Sequence, residues 1–402
     1  MVPTPTPRMR MGQEPETTPR RAPTLDSSGN GASESSEPSA PTAPAVRVPE
    51  RRTRGRLLLK SLSFLTALFL FILAIQLMKE GAGAIAPRLQ GTFPVDNMVS
   101  TLGLGWLGAY LVLSGSPVAA AGLTLFAAGA TNELQTFTML TGSRLGASFI
   151  VLLVGFLYAV RSANRRESIG MGVLALSMTA VVYVPGMLLG YGVLKAGILD
   201  GVRWHASTEL NTVIDAVWGP ILDLASGALP GPLLFPLGLA VILASFKLLD
   251  QVLPSLDGER HATAREHWLK RPWPMFALGC LAALLTLSVS VALTVLVPLA
   301  SKGYIDRREA LPYIAGANIT TLADTLVAAM ILGNPVGVQV VLAEAIAVAV
   351  ITLLLLAVAY RPLARGVLGF EEWIVATTPR LVVFVVGLFL LPVGLLFSGR
   401  LL

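Results

Sequence analysis

Charge is what this chain has least of. Only 13% of its 402 residues are charged and 54% are hydrophobic, whereas a soluble domain carries about 25% charged residues. Mean hydropathy is +0.70. So few charges cannot clothe a water-facing surface, which excludes an ordinary soluble domain and points to an integral membrane protein. Cysteine occurs once, at Cys280 inside an apolar run, so a disulfide framework is excluded and the thiol reads as a small core residue. Histidine is nearly as scarce. His205, His261 and His267 fall in connectors without metal-ligand spacing. No phosphate loop, nucleophile elbow or zinc pattern occurs, so an enzyme is not expected. No secretory signal is expected either, because the first apolar run begins only near Leu57.

The net charge of +6 lies mostly beside the apolar runs, where it sets orientation and does not form a nucleic-acid patch. Arginine outnumbers lysine 24 to 6, and Ala, Gly and Leu are abundant, a composition that leans toward a bacterial source. Residues 1–56 are rich in Pro, Ser, Thr and Gly, have hardly any large apolar side chains, and are expected to be a disordered tail. The tail ends in Arg51, Arg52, Arg54 and Arg56, directly before the first apolar run, which places it in the cytoplasm by the positive-inside rule. Arg161, Arg165 and Arg166 form a second basic cluster, and the 250–273 loop carries Arg260, Arg265, Lys270 and Arg271 among acids.

Runs long enough to enter a bilayer are 57–78, 99–130, 142–160, 169–194, 231–249, 274–300, 309–333, 336–360 and 381–398. Two of them carry the same polar pattern. Ser114-Gly115-Ser116 is followed by Gly129 and then Gly142-Ser143-Arg144-Leu145; Ser288-Val289-Ser290 is followed by Gly303 and then Gly316-Ala317-Asn318-Ile319. Each matched position in the second copy lies 174 residues after the first, from Ser114 to Ser288 onward, without a gap. If the three basic clusters share one side, the runs at 57–78 and 231–249 cross in opposite senses, as an inverted repeat requires. These two runs also share Ile72-Leu73-Ala74 and Ile242-Leu243-Ala244, with Glu80 and Asp250 the same distance on. The fold expected is all-α and polytopic, with two inverted-topology repeats, re-entrant hairpins and about eight membrane spans. The repeats are set at 57–200 and 225–402, with 201–224 an interfacial connector.

Paired polar breaks in two membrane halves are the best sequence pointer to a transporter's binding site. A continuous helix could hide each S-x-S by bonding its hydroxyls one turn back. The duplication favours instead a broken helix whose freed amides and hydroxyls face a cavity. Helix N-termini there would favour an anion and unwound carbonyls a cation. Asn318, Thr321 and Thr325 share a helical face with Asp324 beside them, oxygens suited to a hard monovalent cation, and Thr320 lies between. Arg144 stands where the second copy has Asn318, and either adds positive charge to an anion site or reaches the membrane edge. Glu344 lies within the 336–360 run and either pairs with Arg144, relays a proton, or makes a bond between helices. Asn132, Glu133 and Gln135 match Asp306, Arg307 and Glu309 and read as hairpin tips near water.

The second copy, with Gly316-Ala317-Asn318-Ile319-Thr320-Thr321, resembles the sodium–phosphate cotransporter family, type II and its bacterial relatives. That family carries two inverted repeats, each with a Q-S-S-S stretch and a G-A-N-I-G-T-T stretch. The first copy is similar to a worn version, and Leu77-Met78-Lys79-Glu80-Gly81 resembles the family's first-span ending. Leu113 and Leu287 stand where the family has glutamine, and Gly115 and Val289 where it has the middle serine. The resemblance implies secondary active symport of phosphate or a related small anion across the cytoplasmic membrane, with sodium as coupling ion and no other cofactor. The anion would lie among Ser114, Gly115, Ser116, Gly142, Ser143, Arg144, Ser288, Ser290, Gly316 and Asn318. Sodium would lie among Asn318, Thr320, Thr321 and Asp324. The bilayer is the other partner, nucleic acid is not one, and homodimer formation stays open. Two rival readings are a homologue that no longer transports and acts as a membrane partner or regulator, and a passive anion channel.

Overall fold

A computed structural model describes residues 50–92, 97–161, 165–204, 208–252, 271–286 and 288–398. The readings made on residues 1–49, on His205, on the 253–270 loop and on Leu287 lie outside these.

Among the described residues every regular element is an α-helix. The bilayer explains this, because a helix satisfies its backbone groups within one segment where no water can. In the first part of the chain they are α1 (Glu50–Thr92), α2 (Met98–Val112), α3 (Ser116–Ala127), α4 (Glu133–Ala147), α5 (Phe149–Arg161), α6 (Arg165–Lys195) and α7 (Thr208–Ala228). There follow α8 (Gly231–Val252), α9 (Pro272–Thr286), α10 (Val289–Thr294), α11 (Leu296–Ser301), α12 (Arg307–Thr320), α13 (Leu322–Ile331), α14 (Pro335–Val358), α15 (Tyr360–Val375) and α16 (Thr378–Phe397). Among the described residues, 7 helical stretches are long and apolar enough to cross a membrane. The chain is a multi-pass membrane protein. Exposed Val383, Leu390 and Leu391 on α16 suit contact with acyl chains.

Two expected apolar runs are not single helices. Run 99–130 breaks into α2 and α3 around Leu113 to Gly115, where Leu113 takes a left-handed φ of 56°. Run 274–300 breaks before Ser288, which is extended and caps α10 by accepting the Val291 amide on its hydroxyl. Both S-x-S motifs therefore sit at helix interruptions and not on continuous spans. The two parts also pack alike. α2 lies most extensively on α4 and α9 on α12. A Cβ at Gly142 would overlap the Leu102 carbonyl, and one at Gly316 would overlap the Phe276 carbonyl. Those partners are again 174 residues apart, from Leu102 to Phe276. Glycine is needed at both because only its bare Cα lets the helices approach so closely.

The turns that begin α4 and α12 are matched too. Asn132 and Gln135 cap each other's backbone amides at 2.9 and 2.8 Å, and Glu309 accepts the Asp306 amide at 3.1 Å. The largest apolar cluster draws on both parts, joining Trp106, Tyr110 and Leu145 to Met275, Leu293 and Ile314. At another point Arg307 of α12 binds Glu167 of α6 and Glu371 of α15, each at 2.8 Å. Glu371 is the one acid on the buried face of α15, beside Val367 and Ile374.

Candidate functional site

The two helix interruptions meet. Ser290 donates its hydroxyl to the carbonyl of Leu113 at 3.2 Å, so the second serine of one copy closes a backbone acceptor freed by the break in the other. Ser116, Ser288 and Ser290 are buried there, and Ser114 is half-buried. Gly115 packs against the Ser143 carbonyl, which holds the first break against α4.

Arg144 projects from α4 into this meeting point, with its side chain 1% exposed. Its guanidinium donates to Ser116 at 3.2 Å, to Thr321 at 3.3 Å and to Thr325, and lies 3.6 Å from the Asp324 carboxylate. Thr325 in turn donates to Asp324 at 2.9 Å. The arginine thus bridges a serine of the first copy to the oxygen cluster that follows the second. Among the described residues, Arg144 Nε, Asp324 Oδ2, both carboxyl oxygens of Glu344 and Thr352 Oγ1 are buried without a hydrogen-bond partner. Leaving such groups bare in a low-dielectric interior is costly.

The structure separates residues that the sequence grouped. Helix α12 ends at Thr320 and α13 starts at Leu322, yet Thr321 between them keeps helical dihedrals and bonds its amide to the Ala317 carbonyl, so that Thr321, Thr325 and Asp324 all meet at Arg144. Asn318 turns to α6, where its amide donates to Thr179 at 3.0 Å and its carbonyl accepts the Tyr183 hydroxyl at 2.8 Å. Thr320 turns the other way, donating to the Cys280 carbonyl at 3.1 Å. Ser143 spends its hydroxyl on the Leu140 carbonyl of its own helix. Arg144 pairs with Asp324 and not with Glu344, which lies buried at 1% exposure on α14. Arg144 is buried and does not run to a membrane edge. Thr179 and Tyr183 were missed by the sequence reading because they have no counterpart in the repeated pattern.

An apolar cavity of about 340 Å³ lies beside this cluster. Phe64, Phe71, Ser245, Phe246 and Leu284 line it, and Asp324 is its single charged wall residue. Residues 241–399 match the family described as Na+/Pi-cotransporter. The chain carries a Na+/Pi-cotransporter family domain. That family domain contains Ser288, Ser290, Asn318, Asp324 and Glu344, while Ser116 and Arg144 come from outside the matched residues. That family is a transporter family and not an enzyme class. No curated protein and no solved structure matches the chain.

Proposed function

We propose that this protein is a secondary active transporter that carries phosphate, or a related small oxyanion, together with sodium across the cytoplasmic membrane of a bacterial cell. One observation carries the reading: the two S-x-S interruptions touch, and a buried arginine links Ser116 at the first to the Thr321, Thr325 and Asp324 oxygens. We read the matched helix pairs, α2 with α4 and α9 with α12, as the cores of two inverted repeats. Each repeat holds a hairpin that enters the bilayer part way. The equal spacing of their glycine approaches and turn caps supports this division. The tail before the first span lies in the cytoplasm on this reading.

The anion sits among Ser114, Ser116, Ser288, Ser290 and backbone amides freed by the breaks, with the unpartnered Arg144 Nε as a charged donor. Sodium fits the oxygens of Thr321, Thr325 and Asp324, because Asp324 Oδ2 is buried and lacks a partner. Asn318 and Thr320 are engaged elsewhere in this state. Arg144 already occupies that oxygen cluster, and this suggests how coupling works. An anion that draws the guanidinium toward the serines uncovers Asp324, and sodium then restores neutrality there. Each ligand favours the other's site, which is a coupling free energy in the strict sense. Sodium moving down a potential of about 100 mV supplies roughly 2.3 kcal/mol per charge.

Uptake of labelled phosphate into proteoliposomes, with and without an inward sodium gradient, tests this. Uptake that follows the gradient is the expected outcome. Flux indifferent to sodium would instead describe a passive channel. The non-transporting homologue gains from one observation, the guanidinium already lodged on Asp324. Absence of flux for phosphate, arsenate and sulfate alike would establish it.

A further inference from the structure

The described residues bury four charged side chains: Arg144, Asp324, Glu344 and Glu371. Glu371 is matched by Arg307 near the start of α12. The remaining three do not balance, since two carboxylates share one guanidinium, and Asp324 holds it. Glu344 is left 1% exposed, with neither oxygen bonded. It lies in the middle of the crossing helix α14, far from either end.

The groups turned to Glu344 from the packed helices are few. From α4 come Arg144 and, one turn earlier, Thr141, whose hydroxyl donates to the Phe137 carbonyl. From α6 comes Tyr183, whose hydroxyl is given to Asn318. From α13 comes Asp324, across the guanidinium. Helix α3 has no titratable residue. On α12 and α15, Tyr313 donates to the Ala292 carbonyl, Tyr360 to the Arg308 carbonyl and Arg307 to the two glutamates, Glu309 accepts the Asp306 amide, and Arg308, Arg361, Arg365 and Glu372 are exposed. An ionised Glu344 would therefore have no counter-charge in contact, and the one hydroxyl beside it, that of Thr141, already donates to the Phe137 carbonyl, at a depth where a lone carboxylate is not tolerated.

We infer that Glu344 is a proton-binding site of this protein, neutral while Arg144 rests on Asp324 and ionised when the guanidinium turns toward it. Arg144 thus has two acceptors, and one proton decides between them. The proton comes from water on one side of the membrane and adds to a carboxyl oxygen, and no other bond changes. Where the chain transports, as proposed above, a proton then moves in the cycle with the anion and sodium. The assignment to Glu344 itself does not need transport to occur.

Infrared difference spectroscopy on the purified full-length protein reads this site directly. At neutral pH the wild type should show the carbonyl stretch of a buried protonated carboxylic acid, and Glu344→Gln should lose it. No such band in the wild type, or one that persists in Glu344→Gln, overturns the inference whatever the transport assays show. In proteoliposomes, phosphate uptake at fixed sodium gradient should depend on pH more steeply in the wild type than in Glu344→Gln. Both proteins meet the same ionisation of phosphate, so the difference belongs to the protein. Equal pH profiles overturn the link to transport. No flux in the wild type would defeat the transporter reading, and the infrared band would still decide the proton site. Glu344→Asp, which keeps the titrating group, should retain both signals in a weakened form.

Discussion

Ser290 gives its hydroxyl to the backbone carbonyl of Leu113 at 3.2 Å, and each residue belongs to a helix interruption. A carbonyl freed inside a membrane needs a donor, and here the donor comes from the second S-x-S interruption. The contact ties the two interruptions together. Ser290→Ala removes the donor and should cost about 1–3 kcal/mol, the desolvation of one bare acceptor. Phosphate affinity should fall with it. An unchanged unfolding midpoint and an unchanged affinity together would show that the contact is incidental.

The Arg144–Asp324 pair supplies a sharper measurement. Breaking a buried pair strands the other charge, so Arg144→Ala or Asp324→Asn should each destabilise by about 3–5 kcal/mol. Arg144→Ala with Asp324→Asn removes both charges, and its cost should fall well short of the sum. Denaturation of all four proteins in detergent closes the cycle. Additivity to within about 0.5 kcal/mol would mean that the two groups do not interact.

Gly142 and Gly316 hold their helix pairs at backbone contact. Substitution by alanine at either should cost about 1–3 kcal/mol through overpacking, with similar losses at both sites. Gly387 on α16 has open space where a Cβ would stand and serves as the control. Folded yield and thermal midpoint compare the three. A tolerated Gly316→Ala beside a damaging Gly142→Ala would break the equivalence of the two halves.

The Glu371 carboxyl outside the spans has a pH signature. Burial pushes it above the ordinary carboxylate range, and Arg307 offsets this only in part. The folded protein then holds that proton more tightly than the unfolded chain does. The stability it contributes is complete below the ordinary value of about 4.3 and is lost as pH climbs through the raised one. Relative to the wild type, Glu371→Gln should therefore gain stability as pH rises across that window. A constant difference between the two proteins at every pH would contradict the shift.

Much of this was legible in the amino-acid order. Low charge and long apolar runs require a membrane and hence helices. The matched Ser and Gly positions marked the breaks at Ser114 to Ser116 and at Ser288, and the substitution of Arg144 for Asn318 marked an unusual cation. The grouping of Asn318, Thr320, Thr321 and Asp324 was less well foreseen. Asn318 and Thr320 lie two residues apart on α12, hence on opposite sides of it, and meet different neighbours, while Thr321, Asp324 and Thr325 gather at Arg144. Thr179, Tyr183 and Glu371 could not be selected at all, since each matters through a partner remote in the chain.

By itself, then, the sequence determined that this chain lives in a bilayer, that its helices break twice, and which polar side chains stand at the breaks. Hydropathy and local backbone chemistry decide those things within a few residues. Only the tertiary structure decided that the breaks touch, that Arg144 chooses Asp324, and that Glu344 is left without a partner. Charge pairing depends on distances of a few ångströms between helices far apart in the chain, and those distances follow from how the glycine-bearing faces pack.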